Sequence, residues 1–160
     1  PHAVEVDTPP SGVVTFRSSG GGGGGPAGPA GGPDVSAPVL SGARLTKSSF
    51  VAGKGTTFKL RVSEGGTLRV RITRGTRGRK VKGACRPTTK KNRRAKACTY
   101  DKTVTTLTRS GVSGDVAVAF SGKVGKRKLA PGTYKATFSV TDGAGNVSKG
   151  VSLVFKIKRR

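Results

Sequence analysis

Hydrophobic and polar residues alternate along seven separate segments of the chain, with the period of two that a strand with one buried face requires. The segments are residues 39–46, 58–62, 68–72, 102–108, 115–121, 134–140 and 151–157. None of the chain shows hydrophobic residues repeating with the period of a helix. The pattern therefore predicts an all-β domain of seven strands.

Glycine and proline mark the turns predicted between these strands. The glycine pair at residues 65–66 separates the second segment from the third, so it predicts a hairpin turn. Pro131 and Gly132 predict a turn before the sixth strand, because proline fixes φ and glycine accepts positive φ. In the fourth segment Val104 and Leu107 lie at positions of opposite parity, which predicts a bulge or a bend.

A tyrosine follows the second of these turns, in the spacing Leu129, Pro131, Gly132 and Tyr134. In a tyrosine corner the ring joins the core and the hydroxyl bonds the backbone of the preceding connection, which fixes a crossing between two sheets. The simpler alternative is an ordinary hairpin with a tyrosine in the core. Together with the seven strands, the corner predicts an immunoglobulin-like (Ig-like) or fibronectin-III-like antiparallel β-sandwich.

The residues of three short motifs resemble the Ig-like and fibronectin-III-like modules of bacterial secreted and cell-surface proteins, especially those of high-GC Gram-positive bacteria. The motifs are Ala37-Pro38-x-Leu40-Ser41, the corner, and the turn at residues 141–146. The resemblance covers residues 34–158 and implies a non-catalytic spacer, adhesion unit or enzyme accessory, at the cell surface or outside the cell. The long basic segment between the third and fourth strands departs from the minimal pattern.

The composition divides the chain into three parts. Residues 1–19 form an N-terminal arm, residues 20–36 a linker rich in glycine and proline, and residues 37–160 the sandwich domain. The linker lacks the residues to build a core of its own. In the arm, Val13, Val14 and Phe16 could add as a strand to a neighbouring sandwich, which would make the protein a subunit of a fibre or pilus. No apolar run approaches the length of a membrane span.

The formal net charge is +24, from 31 basic and 7 acidic residues. Such a charge predicts attraction to polyanions, including anionic glycans and cell-wall polymers. Most of the basic residues fall in the segment at residues 74–96, in residues 123–128 and at the C-terminus, which an Ig-like sandwich would bring to one pole. The candidate polyanion-binding residues are Arg74, Arg77, Arg79, Lys80, Lys82, Arg86, Lys90, Lys91, Arg93, Arg94, Lys96, Lys126, Arg127 and Lys128.

The alternative for this segment is a solvated loop whose charge only keeps the protein soluble. Specific nucleic-acid recognition has little support, because Tyr100 is the only aromatic residue near the basic segment and no recognition helix is evident. Binding to nucleic acid would then be independent of sequence and would weaken steeply with salt.

Cys85 and Cys98 are the only cysteines, and both lie in the basic segment. A disulfide between them would staple the segment and would imply an oxidising compartment. Zinc is the rival interpretation, but it needs four ligands, and the only histidine is His2 in the arm. Two unpaired buried thiols do not suit so polar a segment.

Catalysis, cofactors and metals have little support in the sequence. The seven carboxylates are scattered with no evident acid–base pair, and a Ser-His-Asp triad would have to recruit His2. We therefore expect no enzyme activity, no cofactor and no metal centre. A weak calcium candidate is the set Asp34, Asp142 and Asn146, although turn chemistry alone explains Asp142 and Asn146.

Overall fold

The computed structural model describes residues 33–159, which form strands and turns without a helix. The nine strands are β1 (Leu40–Leu45), β2 (Ser49–Val51), β3 (Thr56–Val81), β4 (Ala84–Pro87), β5 (Ala97–Phe120), β6 (Lys123–Val124), β7 (Arg127–Lys128), β8 (Gly132–Asp142) and β9 (Val151–Lys158). The prediction of an all-β domain is confirmed. Within these residues no helix is available to cross a membrane.

Two layers share the long strands β3 and β5. In the first layer, residues 56–62 of β3 lie between β1 and residues 114–120 of β5, and all the pairs are antiparallel. In the second layer, residues 67–73 of β3 lie between β8 and residues 103–109 of β5. Strand β9 continues this layer beside β8, and β2 closes its edge parallel to β9. The arrangement is sandwich-like.

The hairpin predicted at residues 65–66 is wrong, because β3 passes through these glycines without reversing. The strand bends there from one layer to the other, and its register with β5 shifts on both sides of Gly66. A Cβ on Gly66 would lie 2.6 Å from the carbonyl oxygen of Thr141 on the neighbouring β8. The glycine therefore permits a close approach of two backbones and makes no turn.

The fourth and fifth predicted strands are likewise one element, β5, which bends opposite β3. The irregularity predicted in the segment with Val104 and Leu107 is present as a bulge at Val104. Ile72 pairs with Thr105 while Thr73 pairs with Thr103, so Val104 is the extra residue.

Aromatic rings from both layers meet in the core. Phe58 of the first layer lies 5.4 Å from Phe138 of the second, and Phe120 lies 5.8 Å from Phe155, measured between ring centroids. Each such ring, fully buried, stabilises the fold by about 1.5–3 kcal/mol. The hydrophobic residues of the predicted segments 58–62, 68–72 and 134–140 are all buried. Val116 of β5, in the segment 115–121, is only half-buried. Because one face of β3 is buried up to Thr73 and the strand then continues into the basic segment, the core holds the base of that segment in place.

Candidate polyanion-binding site

The basic segment is a three-stranded antiparallel projection, which we call the basic finger (residues 74–102). The last part of β3 is its central strand, with β4 on one side and the first part of β5 on the other. No strand is predicted between the third and fourth segments, whereas the structure pairs three strands there. These strands lack hydrophobic alternation because the finger extends past the end of β8 and has no core to face.

The disulfide Cys85–Cys98 is present and staples the two outer strands of the finger. In the register, Cys98 pairs with Gly78 of the central strand and Cys85 pairs with the nearby Lys80, so the bond passes over that strand. A Cβ on Gly78 would lie 3.0 Å from Cys85 Sγ and closer still to the carbonyl oxygen of Arg86. Glycine at position 78 thus leaves the room that the bridge requires.

Two turns connect the strands of the finger, one between β3 and β4 and the other between β4 and β5. Lys82 and Gly83 both have positive φ, of 48° and 78°, as a two-residue hairpin of type I′ requires. In the second turn Asn92 accepts from Thr89 N at 2.7 Å and donates to the carbonyl oxygen of Pro87 at 2.9 Å. These bonds hold the loop while leaving four neighbouring cations exposed: Lys90, Lys91, Arg93 and Arg94.

An open groove of about 790 Å³ lies between the base of the finger and the short hairpin of β6 and β7. Its cationic lining comes from both sides, namely Arg74, Arg77, Lys102, Arg127 and Lys128. Val104, Val124, Leu129 and Ala130 supply an apolar part of the lining, with Tyr134. The groove thus brings the predicted residues of two separate segments together. The end of β9 also reaches this side of the domain, where Ile157 pairs with Gly132.

Arg74 joins the finger to the turn that precedes β8. Its guanidinium donates to the carbonyl oxygen of Pro131 at 3.2 Å and to Tyr134 Oη at 3.5 Å, and lies 5.5 Å from the centre of the tyrosine ring. Tyr134 is buried, and its hydroxyl donates to the carbonyl oxygen of Ala130 at 2.7 Å. Arg74, a predicted binding residue, therefore also positions the groove.

Most cations of the finger have no carboxylate beside them. Within residues 33–159 the one ion pair joins Lys135 to Asp101, on the surface near the base of the finger. The candidate residues in the finger and in the β6–β7 hairpin form no ion pair in the described part of the chain. Mutual repulsion among them opposes folding, and an anionic ligand would relieve it.

Three carboxylates gather at the opposite end of the sandwich. Asp34, Glu64 and Asp142 have oxygens within 4.8 Å of one another. Desolvation raises the pKa of Asp142, but hydrogen bonds from the Asn146 side chain and from backbone amides outweigh it and lower the pKa below its ordinary value. Glu64 is not among the predicted calcium candidates, because its proximity to Asp34 and Asp142 is a contact between residues distant in sequence.

The calcium candidate remains a prediction. The Asn146 amide nitrogen donates to the Asp34 carbonyl oxygen at 3.0 Å and to Asp142 Oδ2 at 2.9 Å. The bond to Asp142 is ordinary turn chemistry. The bond to Asp34 ties the turn to the start of the domain. The strand-donation candidates Val13, Val14 and Phe16, like His2, lie outside the described residues.

No protein-family model and no curated protein matches the chain. Among solved structures, chitinase ChiW from Paenibacillus sp. str. FPU-7, a bacterial cell-surface-expressed multi-modular enzyme, aligns over 86% of this chain with 16% identity and a TM-score of 0.42. Spo0M, a sporulation control protein from Bacillus subtilis, aligns over 79% with 10% identity and a TM-score of 0.49. The alignments span 10% of the ChiW chain and 51% of the Spo0M chain. These likenesses concern the backbone alone.

Proposed function

We propose that this protein is a non-catalytic extracellular adhesion module that attaches to anionic polymers through the basic finger and its groove. The observation that carries the proposal is the finger itself. A solvated loop needs no fixed structure, yet these cations lie on three paired strands and the turns between them, which a disulfide staples and Arg74 anchors to the core. The candidate partners are anionic glycans and cell-wall polymers.

The proposed fold type is Ig-like, close to fibronectin III. Its support is the connectivity, in which β1, β3 and β5 form one layer and β5, β3, β8 and β9 the other. The bent strands β3 and β5 each take the place of two successive strands in that scheme. The tyrosine bond to Ala130 supports a corner between the layers.

The extracellular location is supported by the disulfide, since such bonds persist in oxidising compartments. Stacking of nucleobases has little support. In the described residues every phenylalanine and Tyr134 is at most 4% exposed, and Tyr100 is half-buried, so the finger offers no open aromatic platform. Recognition would therefore depend on charge.

The proposal predicts that reversing the charges in the turn between β4 and β5 weakens binding. The variant changes Lys90, Lys91, Arg93 and Arg94 to glutamate, and its control makes the same change at Lys59, Arg69, Arg109 and Lys149, which are exposed outside the finger. Both variants have the same net charge, so a local site predicts a loss of at least about tenfold for the turn variant alone. Affinity for heparin and polyphosphate, measured from 50 to 300 mM salt, tests this. Equal losses, or affinity independent of salt, would contradict the proposal.

The second candidate function is a subunit of an extracellular fibre or pilus. The observation that favours it is the outer edge of β5, which pairs with β3 on one side only within residues 33–159. An unpaired edge accepts an added strand. We expect deletion of residues 1–32 to leave a folded monomer and to abolish polymers in negative-stain microscopy. Polymers that persist after the deletion would refute donation by Val13, Val14 and Phe16.

A further inference from the structure

One face of the basic finger gathers three arginines. Arg77 and Arg79 are two residues apart on β3, so their side chains leave the strand on the same side. Arg86 of β4 is the registered partner of Arg79, which places it on this face as well. We infer that this arginine cluster (Arg77, Arg79 and Arg86) binds a phosphate group of the anionic polymer, an inference that rests on the proposed function.

The neighbours of the cluster on this face are small. Across the register from Arg77 is Thr99, and across from Arg79 on the β5 side is Ala97. A cavity of about 460 Å³ opens here, lined by Arg77 and Arg79 together with Thr88, Ala97 and Thr99. Two arginines and two threonines thus border an open space. Arg86 does not line it and is related to it through its register with Arg79.

The cluster has an unrelieved electrostatic cost. Arg79 and Arg86 are directly opposite, and like charges at opposed positions destabilise a strand pair. Asp101 is the carboxylate farther along the same face, but it pairs with Lys135 and so does not neutralise the cluster. The Arg79 guanidinium donates to the carbonyl oxygen of Ala95 at 3.0 Å, which holds it in place. An anion in the cavity would relieve the repulsion, and it would find the Arg79 guanidinium already held in place.

The chemistry of three guanidinium groups favours phosphate over carboxylate. A phosphate within a polymer presents its oxygens tetrahedrally, and at the end of the chain it carries nearly two negative charges on three strong acceptor oxygens, whereas a carboxylate has one charge on two oxygens in a plane. Arginine presents its donors as a planar fork that matches phosphate bidentately, while lysine is a single point charge. Replacing arginine by lysine therefore keeps the charge of the finger and removes the fork.

The experiment compares two triple variants of equal net charge. The first is Arg77→Lys, Arg79→Lys and Arg86→Lys. The matched control is Arg61→Lys, Arg69→Lys and Arg71→Lys, which changes exposed arginines of β3 in the sandwich, outside the candidate binding residues. Both are titrated at fixed salt with long-chain polyphosphate and with poly-L-glutamate. The intact mass of each variant shows whether the disulfide is retained, and near-ultraviolet dichroism shows whether the fold is.

We expect the cluster variant to lose at least about tenfold in affinity for polyphosphate, and a clearly smaller factor for polyglutamate, whose carboxylates cannot engage three guanidinium groups at once. The control variant should bind both polymers as the wild type does. Equal behaviour of the two variants, or equal losses on both polymers, would overturn the inference and leave the proposed function standing. If the wild-type protein binds neither polymer at low salt, the proposed function itself fails.

Discussion

At the scale of single residues, the Tyr134 hydroxyl couples the core to the groove. It donates to the carbonyl oxygen of Ala130 and accepts from the guanidinium of Arg74. One side chain therefore links the turn before β8 to the base of the finger. A buried hydroxyl placed between two partners stabilises a fold through both bonds. The position of the tyrosine is predictable from the turn before it, but its bond to Arg74 requires knowing where the basic segment folds.

Tyr134→Phe should lower the free energy of unfolding by about 1 kcal/mol, because it leaves the Ala130 carbonyl without its donor. Tyr100→Phe is the matched control, since the hydroxyl of Tyr100 makes no hydrogen bond among the described residues and the side chain is half-buried. Urea denaturation measures both variants. Equal stability of the two would mean that the hydroxyl of Tyr134 contributes nothing to the corner.

At the scale of elements, alternation identifies most strands, but the way they connect is beyond what alternation can predict. The predicted segments 39–46, 134–140 and 151–157 come close to β1, β8 and β9, because each has one face in the core. The glycines at residues 65–66 have the local chemistry of a turn. Only the backbone of β8 against Gly66 shows that they serve a close approach, and that contact is distant in sequence.

The strands of the finger could not be predicted from the sequence for a related reason. A ribbon that packs against nothing has no hydrophobic period, so its strands cannot be distinguished from a loop by pattern. The cysteines are the one predictive signal there, and their pairing is confirmed. Their spacing does not reveal that the bond crosses a third strand at Gly78.

Removing the staple with Cys85→Ser and Cys98→Ser should loosen the finger and leave the sandwich folded. In the chain-entropy model a loop of this size is worth about 3 kcal/mol, and the core residues of β8 and β9 lie outside it. Hydrogen exchange should accelerate at residues 76–100 and remain slow in β8. Affinity for polyphosphate should fall as well. Uniform acceleration through the core would show that the finger supports the whole fold.

At the scale of the whole molecule, charge is divided between two ends. The finger and the β6–β7 hairpin carry cations without ion pairs at one end, and Asp34, Glu64 and Asp142 meet at the other. The net charge of +24 follows from the composition alone. The separation of acidic from basic residues depends on the path of β3 through the bend at residues 65–66 and into the finger. The domain therefore has a direction along which an anionic polymer would be attracted.

Acid should destabilise the acidic end through Asp142. Its folded pKa lies below the value of about 3.9 in unfolded chains, so it stabilises the fold above that value and ceases to do so as pH falls through the folded pKa. Thermal midpoints between pH 7 and pH 2 measure this. Asp142→Asn should flatten the decline below pH 4, and Asp115→Asn serves as the control. A variant as acid-sensitive as the wild type would contradict the assignment.

The two strands that pass through both layers also continue without a break into the finger. A surface held at the fingertip would therefore pull along the same backbones that run through the core. Under such a load the hydrogen bonds between β3 and β8 are strained together, in shear, and do not open one by one from an end. Tension applied through an attached polymer would thus be borne by the best-packed part of the molecule.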